Sequence, residues 1–358
     1  MDEVLLVVNP GSTSTKLALY KGDTPVSVDT LDHSGEEWVT RLRTVAQLSH
    51  RVAIVKQYLE KHGLGVEDLA CIVARGGLLR PVRSGAYEVG PAMREDLMNE
   101  VGGRHASNLG GLIALEISRG RVPCYIVDPV SVDEYSQAAR VSGIPGLPRK
   151  SLLHALNIRA CAQRAAKELN VPLSQLYLVV AHLGSGFSIA PCYKGKLRDA
   201  NNSNEEGPFT VERAGTLPAL FLLELASNGE PAATRAALVS ESGMYGYTGT
   251  KDARKVEEAS KEGGAAGDAW DAMAYQVGKE ICAMAAAYPE PIDAVVLTGG
   301  LAKSEAFVKK VMEQTSFLGR HLVYPGEDEM RSLAEGALRV LRGQETARTY
   351  PDDEVAIE

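Results

Sequence analysis

Cysteine is scarce and badly placed for cross-linking: Cys71, Cys124, Cys161, Cys192 and Cys282 are odd in number, widely separated and form no CxxC pair. That pattern argues against a disulfide framework or a zinc site and suits buried thiols in a reducing cytosol. No apolar stretch reaches the roughly 18 residues a membrane-spanning helix requires. The N-terminus runs through Asp2 and Glu3 into a short strand-like run without a cleavage-site pattern, so a cytoplasmic protein is expected. Excess positive charge is missing as well. A net charge of −8 and a pI near 5.5 disfavour a nucleic-acid or anionic-membrane partner.

What is present fits a packed, two-domain α/β protein: 358 residues, 45% hydrophobic and 23% charged. Strand-like apolar runs at 4–8, 71–74, 124–127, 177–181 and 293–298 alternate with helical patterns at 105–119, 151–169, 268–287 and 328–342. Between 140 and 150, RVSGIPGLPRK carries two prolines and two glycines and reads as a hinge between halves.

The chain repeats its opening. Residues 6–22, LVVNPGSTSTKLALYKG, resemble residues 178–195, LVVAHLGSGFSIAPCYKG. The Gly-Ser pairs at 11–12 and 184–185 and the Tyr-Lys-Gly triplets at 20–22 and 193–195 share an offset of 173, with one extra residue before the second turn. Two halves that each start with a strand, a glycine turn and a strand imply a two-lobed molecule with a cleft between the lobes.

Three glycine turns can serve phosphate. Asn9 to Lys16, NPGSTSTK, offers amides, hydroxyls and one ammonium, without the second glycine or the Ser/Thr after lysine of a Walker A loop. Taken alone it also reads as a plain hairpin loop, and Lys16 can point into solvent. The second turn, His182 to Ser188, adds an imidazole. The third, Leu297 to Ser304, places Gly299 and Gly300 between an apolar run and a helical pattern.

Longer motifs carry a family resemblance. NPGSTSTK, ARGGLL (74–79), RHASNLG (104–110), VDPV (127–130), AHLGSG (181–186), EGPFTVERAGTLP (206–218), LTGG (297–300) and YPGEDE (324–329) resemble the butyrate kinases, within the acetate kinase family. The likeness spans residues 4–343. It implies two ribonuclease-H-like lobes of the actin-like ATPase fold, each a βββαβαβα unit, with the active site in the interlobe cleft. The implied lobes are residues 1–145 and 146–327, with a helix at 328–343 returning to the first lobe and a solvated tail at 344–358. The implied reaction is ATP plus a short-chain carboxylate, butanoate by the nearest likeness, giving ADP and the acyl phosphate with Mg²⁺. A homo-oligomer is implied too.

The same resemblance assigns residues. Arg75 would hold the substrate carboxylate and Arg213 the transferring phosphoryl, jobs that suit a planar guanidinium. His182 would donate to the phosphoryl group, His154 and His105 would face the same site, and Asp128 would orient an arginine and manage metal charge. Asn9 would reach the metal–phosphate group, with Ser12, Thr13 and Ser14 beside it and Gly184, Ser185 and Gly186 in the second turn. The Mg²⁺-associated carboxylate falls in PGEDEM, where Asp328 and Glu329 both qualify. Asp252, Ala253 and Arg254, opposite Gly299 and Gly300, would contact the nucleoside. Gly77 next to Arg75, and Leu153 before His154, stand where acetate kinases carry bulkier residues. They imply a roomier acyl pocket, so that Gly77→Val should shift preference toward acetate.

Three departures from the family are expected to matter. Ser185 replaces a glycine, Phe187 a smaller aliphatic residue, and Ser203–Glu206 a run of small residues. They are expected to restrict the second turn and to add negative charge near the triphosphate. The competing readings are an acceptor-free ATPase of chaperone or filament type, and a weakened sensor of acyl phosphate.

Overall fold

The computed structural model describes residues 3–352, apart from the side chain of Thr40. The chain divides into two compact units, one of residues 1–133 with residues 328 onward, the other of residues 134–327.

The first unit is built on six strands: β1 (Val4–Pro10), β2 (Ser14–Lys21), β3 (Thr24–Asp32), β4 (Cys71–Arg75), β5 (Ala86–Glu88) and β6 (Cys124–Val127). Their order is β3-β2-β1-β4-β6-β5. β1, β2 and β3 pair antiparallel, whereas β1, β4 and β6 run parallel. Helices Asn108–Ser118 and Glu329–Leu341 pack against β1, β4 and β6. Sandwiched in this way, β1 and β4 read as continuous apolar runs, while the edge strand β3 alternates.

The second unit repeats the plan with β7 (Tyr177–Leu183), β8 (Phe187–Tyr193), β9 (Lys196–Leu197), β10 (Ala294–Gly299) and β11 (His321–Pro325), ordered β11-β10-β7-β8-β9. Read from β9, this sheet has the pairing sense of β3-β2-β1-β4-β6. The hairpins keep the same register once the extra residue is allowed for. Tyr20 faces Leu5 and Tyr193 faces Tyr177; Pro10 faces Thr15 and His182 faces Ser188. Leu183 is the added residue, and it pairs with Phe187.

Successive residues of β7 serve opposite faces. Tyr177, Val179, Ala181 and Leu183 enter an apolar cluster with Trp270, Met273 and Val277 of helix Gly264–Ala285. His182, on the other face, meets Asn157 of helix Ala155–Leu169.

Two boundaries differ from the sequence expectation. The first unit ends at 133 rather than 145, because the Pro/Gly stretch is fastened to the second unit. Tyr135 donates to the carbonyl of Ala200 at 2.7 Å, and Arg149 pairs with both Asp199 and Glu206. The expected solvated tail is, over residues 344–352, a packed strap. The amide of Arg348 donates to Ala86 O, the Tyr350 hydroxyl donates to Asp96 at 2.6 Å, and Asp352 accepts from Arg83 at 3.0 Å. The remaining residues of that tail, 353–358, lie outside the described residues.

Candidate active site

In the first unit, three predicted residues meet. Asn9, at the buried end of β1, donates through Nδ2 to Glu329 Oε2 at 2.6 Å. Arg75, at the end of β4, places Nη1 2.7 Å from Glu329 Oε1. Asp328 is elsewhere engaged: it caps helix Glu329–Leu341, its Oδ1 accepting the Arg331 amide at 3.0 Å. The two carboxylates thus differ in their contacts: Glu329, the one preferred from the sequence for its side-chain identity, meets Asn9 and Arg75, whereas Asp328 caps a helix. Among the described residues no three His, Cys, Asp or Glu side chains gather as a metal cage. Glu329 and Asn9 supply oxygen donors of the kind that suit a hard divalent cation.

The first turn is anchored from beneath. Gly11 N–H donates to Ser14 O at 2.8 Å, and His33 N–H to Thr13 O at 2.7 Å. The buried Arg51 donates to Ser12 O at 3.1 Å and Ser14 O at 2.8 Å. Ser12 and Thr13 are exposed at the tip, and the Lys16 side chain is exposed.

In the second unit the rings of His154 and His182 stack, with centroids 4.1 Å apart. His182 Nδ1 lies 2.9 Å from Asn157 Oδ1, an acceptor, so the ring carries a proton there. Its Nε2 lies 3.2 Å from Glu327 Oε1, a distance within ion-pair range but without hydrogen-bond alignment. Gly184 lies close over this pair; a Cβ on it would stand 2.7 Å from His182 Nε2 and 3.0 Å from Glu327 Oε1. His154 Nδ1 lies 2.9 Å from Ser188 Oγ.

Arg213 lies over the backbone of Gly186, where a Cβ would come within 2.4 Å of Nη1. Its Nη1 donates to Ser203 O at 2.8 Å and to Asn204 Oδ1 at 2.7 Å, while its buried Nε has no hydrogen-bond partner. Burial pulls this guanidinium below its ordinary pKa. Thr210 fixes the segment: its hydroxyl donates to Ser185 O at 2.7 Å and accepts the Arg213 amide at 3.1 Å.

The departures from the family have identifiable places in the structure. Ser185 is exposed and lies outside the left-handed backbone region, and Phe187 belongs to the core cluster. Glu206 is matched by a two-pronged contact from Arg149 at 3.1 and 2.7 Å, and Ser203 and Asn204 supply the acceptors that hold Arg213.

Other predicted residues have structural partners. Gly77 is a packing glycine: a Cβ there would stand 2.4 Å from Asn108 Oδ1 and 2.6 Å from Asn108 Cα, so its bareness admits the start of a helix. Gly76 meets Pro129 in the same way. Leu153 is buried. His105 precedes the helix rather than opening it, with Nδ1 2.6 Å from Ser107 Oγ; burial and then the Arg75 charge hold its pKa below the ordinary value. Asp128, buried at positive φ, accepts the Gly85 amide at 2.7 Å. Asp252 caps helix Ala253–Lys261 and pairs with the exposed Arg254. Gly299, at φ +92°, abuts the Leu183 backbone, whereas Gly300 faces open space.

Sequence reasoning missed Arg51, Asn157, Thr210 and Glu327. Glu327 stood within the quoted YPGEDE motif. Arg51 left one readable trace, a cation on the same helix stripe as Val55, Tyr58 and Leu59.

Comparison with known proteins adds to this geometry. The model of the acetokinase family matches residues 146–335. A protein named "Probable butyrate kinase 2" from Caldanaerobacter subterraneus subsp. tengcongensis is 43% identical over 351 residues, covering 97% of this chain and 99% of the relative. Among solved structures, Porphyromonas gingivalis acetate kinase is similar at TM-score 0.77 and 22% identity, covering 95% of this chain and all of its own. A Francisella tularensis propionate kinase is similar at TM-score 0.73 and 18% identity, covering 93% and 98%. These two likenesses show the fold, the two-lobed actin-like ATPase architecture.

Proposed function

Because the chain belongs to the acetokinase family and is a short-chain carboxylate kinase, we propose that it transfers the γ-phosphoryl group of ATP to butyrate, giving ADP and butyryl phosphate. Reversal of that reaction is part of the proposal. The observation that carries it is Arg213, a half-buried guanidinium held by neutral acceptors on the bare backbone of Gly186. Such a cation is suited to receive an anion.

In this reading the reaction is an in-line displacement. A carboxylate oxygen of butyrate forms a bond to the γ-phosphorus as the bond to the β–γ bridging oxygen breaks, and ADP carries away the electron pair. Arg75 orients the acceptor carboxylate and Arg213 faces the equatorial phosphoryl oxygens. His182 gives Nδ1–H to Asn157 and, when Nε2 carries a proton as well, donates it to the phosphoryl group, while His154 supports it by stacking. The first turn, Ser12 to Ser14, and the second, Gly184 to Gly186, receive phosphate oxygens; Asp252 to Arg254 with Gly300 border the nucleoside. Glu329 and Asn9 would hold Mg²⁺ beside the phosphates, where it would supply charge neutralisation.

Butyrate as acceptor draws support from the name of the relative at 43% identity. One methylene is worth only ~1–3 kcal/mol, so propionate and isobutyrate are also accepted at reduced efficiency. Assembly as a homo-oligomer belongs to the proposal. Helix Ala219–Asn228 supports it, exposing Leu220, Phe221 and Leu223. A cytoplasmic location is proposed as well; no helix among the described residues is long and apolar enough to cross a membrane.

Hydroxylamine trapping of acyl phosphate across acetate, propionate, butyrate and isobutyrate, beside ATP hydrolysis without acid, tests the reading. Acid-dependent product peaking at butyrate is expected. ATP hydrolysis indifferent to carboxylate would refute it.

A further inference from the structure

Arg51 lies in the first turn of helix Leu48–Lys61 at 0% exposure. Its hydrogen bonds go to neutral acceptors throughout. Nε and Nη2 reach Gln47 Oε1 at 3.3 and 3.0 Å, Nη2 reaches Ser12 O at 3.1 Å, and Nη1 reaches Ser14 O at 2.8 Å and Thr15 Oγ1 at 2.9 Å. The Trp38 ring covers the guanidinium at 5.6 Å, and His33 meets Thr15 Oγ1 from another side at 3.0 Å. No carboxylate among the described residues pairs with Arg51. A buried cation without a counter-charge opposes folding. An apolar residue would satisfy a helix stripe shared with Val55, Tyr58 and Leu59.

The contacts also orient the turn. In a trans peptide the carbonyl of one residue and the amide N–H of the next point in opposite directions. Arg51 draws the Ser12 carbonyl inward, which turns the Thr13 N–H away from the buried side, while the Ser14 carbonyl is held by Arg51 and by the Gly11 amide across the hairpin. An outward amide at a tip where Ser12 and Thr13 are exposed offers a donor to an anion.

We propose that Arg51 is a positioning residue that presents the Thr13 amide, and that its unmatched buried charge is balanced by a phosphoryl group of ATP lying on the turn. This rests on the reading of Ser12–Ser14 as a phosphate turn. The cation does not touch the ligand; it acts through the carbonyls it holds and through its field in a poorly screened setting. Nucleotide binding and the charge state of the helix beneath the turn are thereby coupled.

The test compares Arg51→Met, neutral and of similar length, with Arg51→Lys, by thermal melting with and without MgATP in the absence of acid, and by steady-state kinetics. Arg51→Met is expected to keep its ligand-free Tm within about 3 °C of wild type and to lose most of the ATP-induced rise. Its KM for ATP should rise ~10-fold or more while KM for butyrate stays within about 2-fold. Arg51→Lys, which keeps the charge, should retain part of both effects. A merely structural arginine predicts the reverse, a lower ligand-free Tm with a full ATP increment and an unchanged KM for ATP, and that result overturns the proposal. Should Arg51→Met not fold, Arg51→Lys decides: a reduced ATP increment supports the proposal and an undiminished one overturns it. A wild-type protein that binds ATP yet forms no acyl phosphate refutes the function proposed above. An Arg51 variant with an unaltered ATP response refutes this inference.

Discussion

Glu329 and Arg75 meet at 2.7 Å, while the neighbouring Asp328 turns back to cap its own helix. The two carboxylates should therefore fail differently. Glu329→Gln is expected to raise the Mg²⁺ concentration for half-maximal rate by ~10-fold or more and to lower kcat. Asp328→Ala removes a cap worth about 1 kcal/mol, so Tm falls by about 2–4 °C while the Mg²⁺ dependence stays put. A metal titration of both variants separates these outcomes; a raised Mg²⁺ requirement in Asp328→Ala with none in Glu329→Gln would move the assignment to Asp328.

Gly77 yields a prediction opposite to the one its sequence context invites. Its absent side chain makes room for the Asn108 backbone rather than for substrate. Gly77→Ala should therefore overpack the start of helix Asn108–Ser118 and cost about 1–3 kcal/mol. Its ratio of kcat/KM for acetate to that for butyrate should remain within ~3-fold of wild type. A preserved Tm with a strong swing toward acetate would restore the pocket reading.

Asn157 fixes the proton of His182 on Nδ1. Asn157→Leu should lower kcat by ~10–100-fold with KM for ATP changed by less than ~3-fold, the pattern of a residue that acts through the group it orients. Asn157→Asp keeps an acceptor at that place and should recover most of the rate. Equal losses in both variants would show that Asn157 serves packing alone.

The C-terminal strap makes stability depend on acid. Burial alone would push the Asp352 carboxyl up, but hydrogen bonds from Arg83 and Tyr87 outweigh it and hold the folded pKa at about 2, below the ordinary 3.8. A folded value below the unfolded one means the stabilisation is present above the ordinary value and lost as pH falls toward about 2. Its size is about 2 kcal/mol. Asp352→Asn should thus melt lower than wild type near neutrality, with the gap closing as pH is lowered through the acid range. A gap that does not narrow in acid would show that the pairing is not what Asp352 contributes.

The repeat, the central strands and the glycine turns were readable because each is local. A buried strand announces itself in four or five consecutive apolar residues, and the hairpin register follows from the spacing of Gly-Ser and Tyr-Lys-Gly. The rest depends on partners far apart in sequence. Nothing in RVSGIPGLPRK announces that Arg149 will bind Asp199 and Glu206, so the stretch passed for a hinge. Tyr350 and Asp352 look like tail residues until Asp96 and Arg83 are seen to receive them. Glycines at 76 and 77 suggested space for a ligand, because sequence does not reveal what approaches a bare Cα.

Glu327, Asp328 and Glu329 follow one another without a gap, yet they reach His182, the Arg331 amide, and the Asn9–Arg75 pair respectively. The boundary between the units falls after the first of the three. What this stretch cannot tolerate is therefore a change of length. Inserting or deleting a single residue would leave its acidity intact while handing each carboxylate the address of its neighbour. Grafts or chimaeras joined near this point must preserve the count of residues before they preserve their identity.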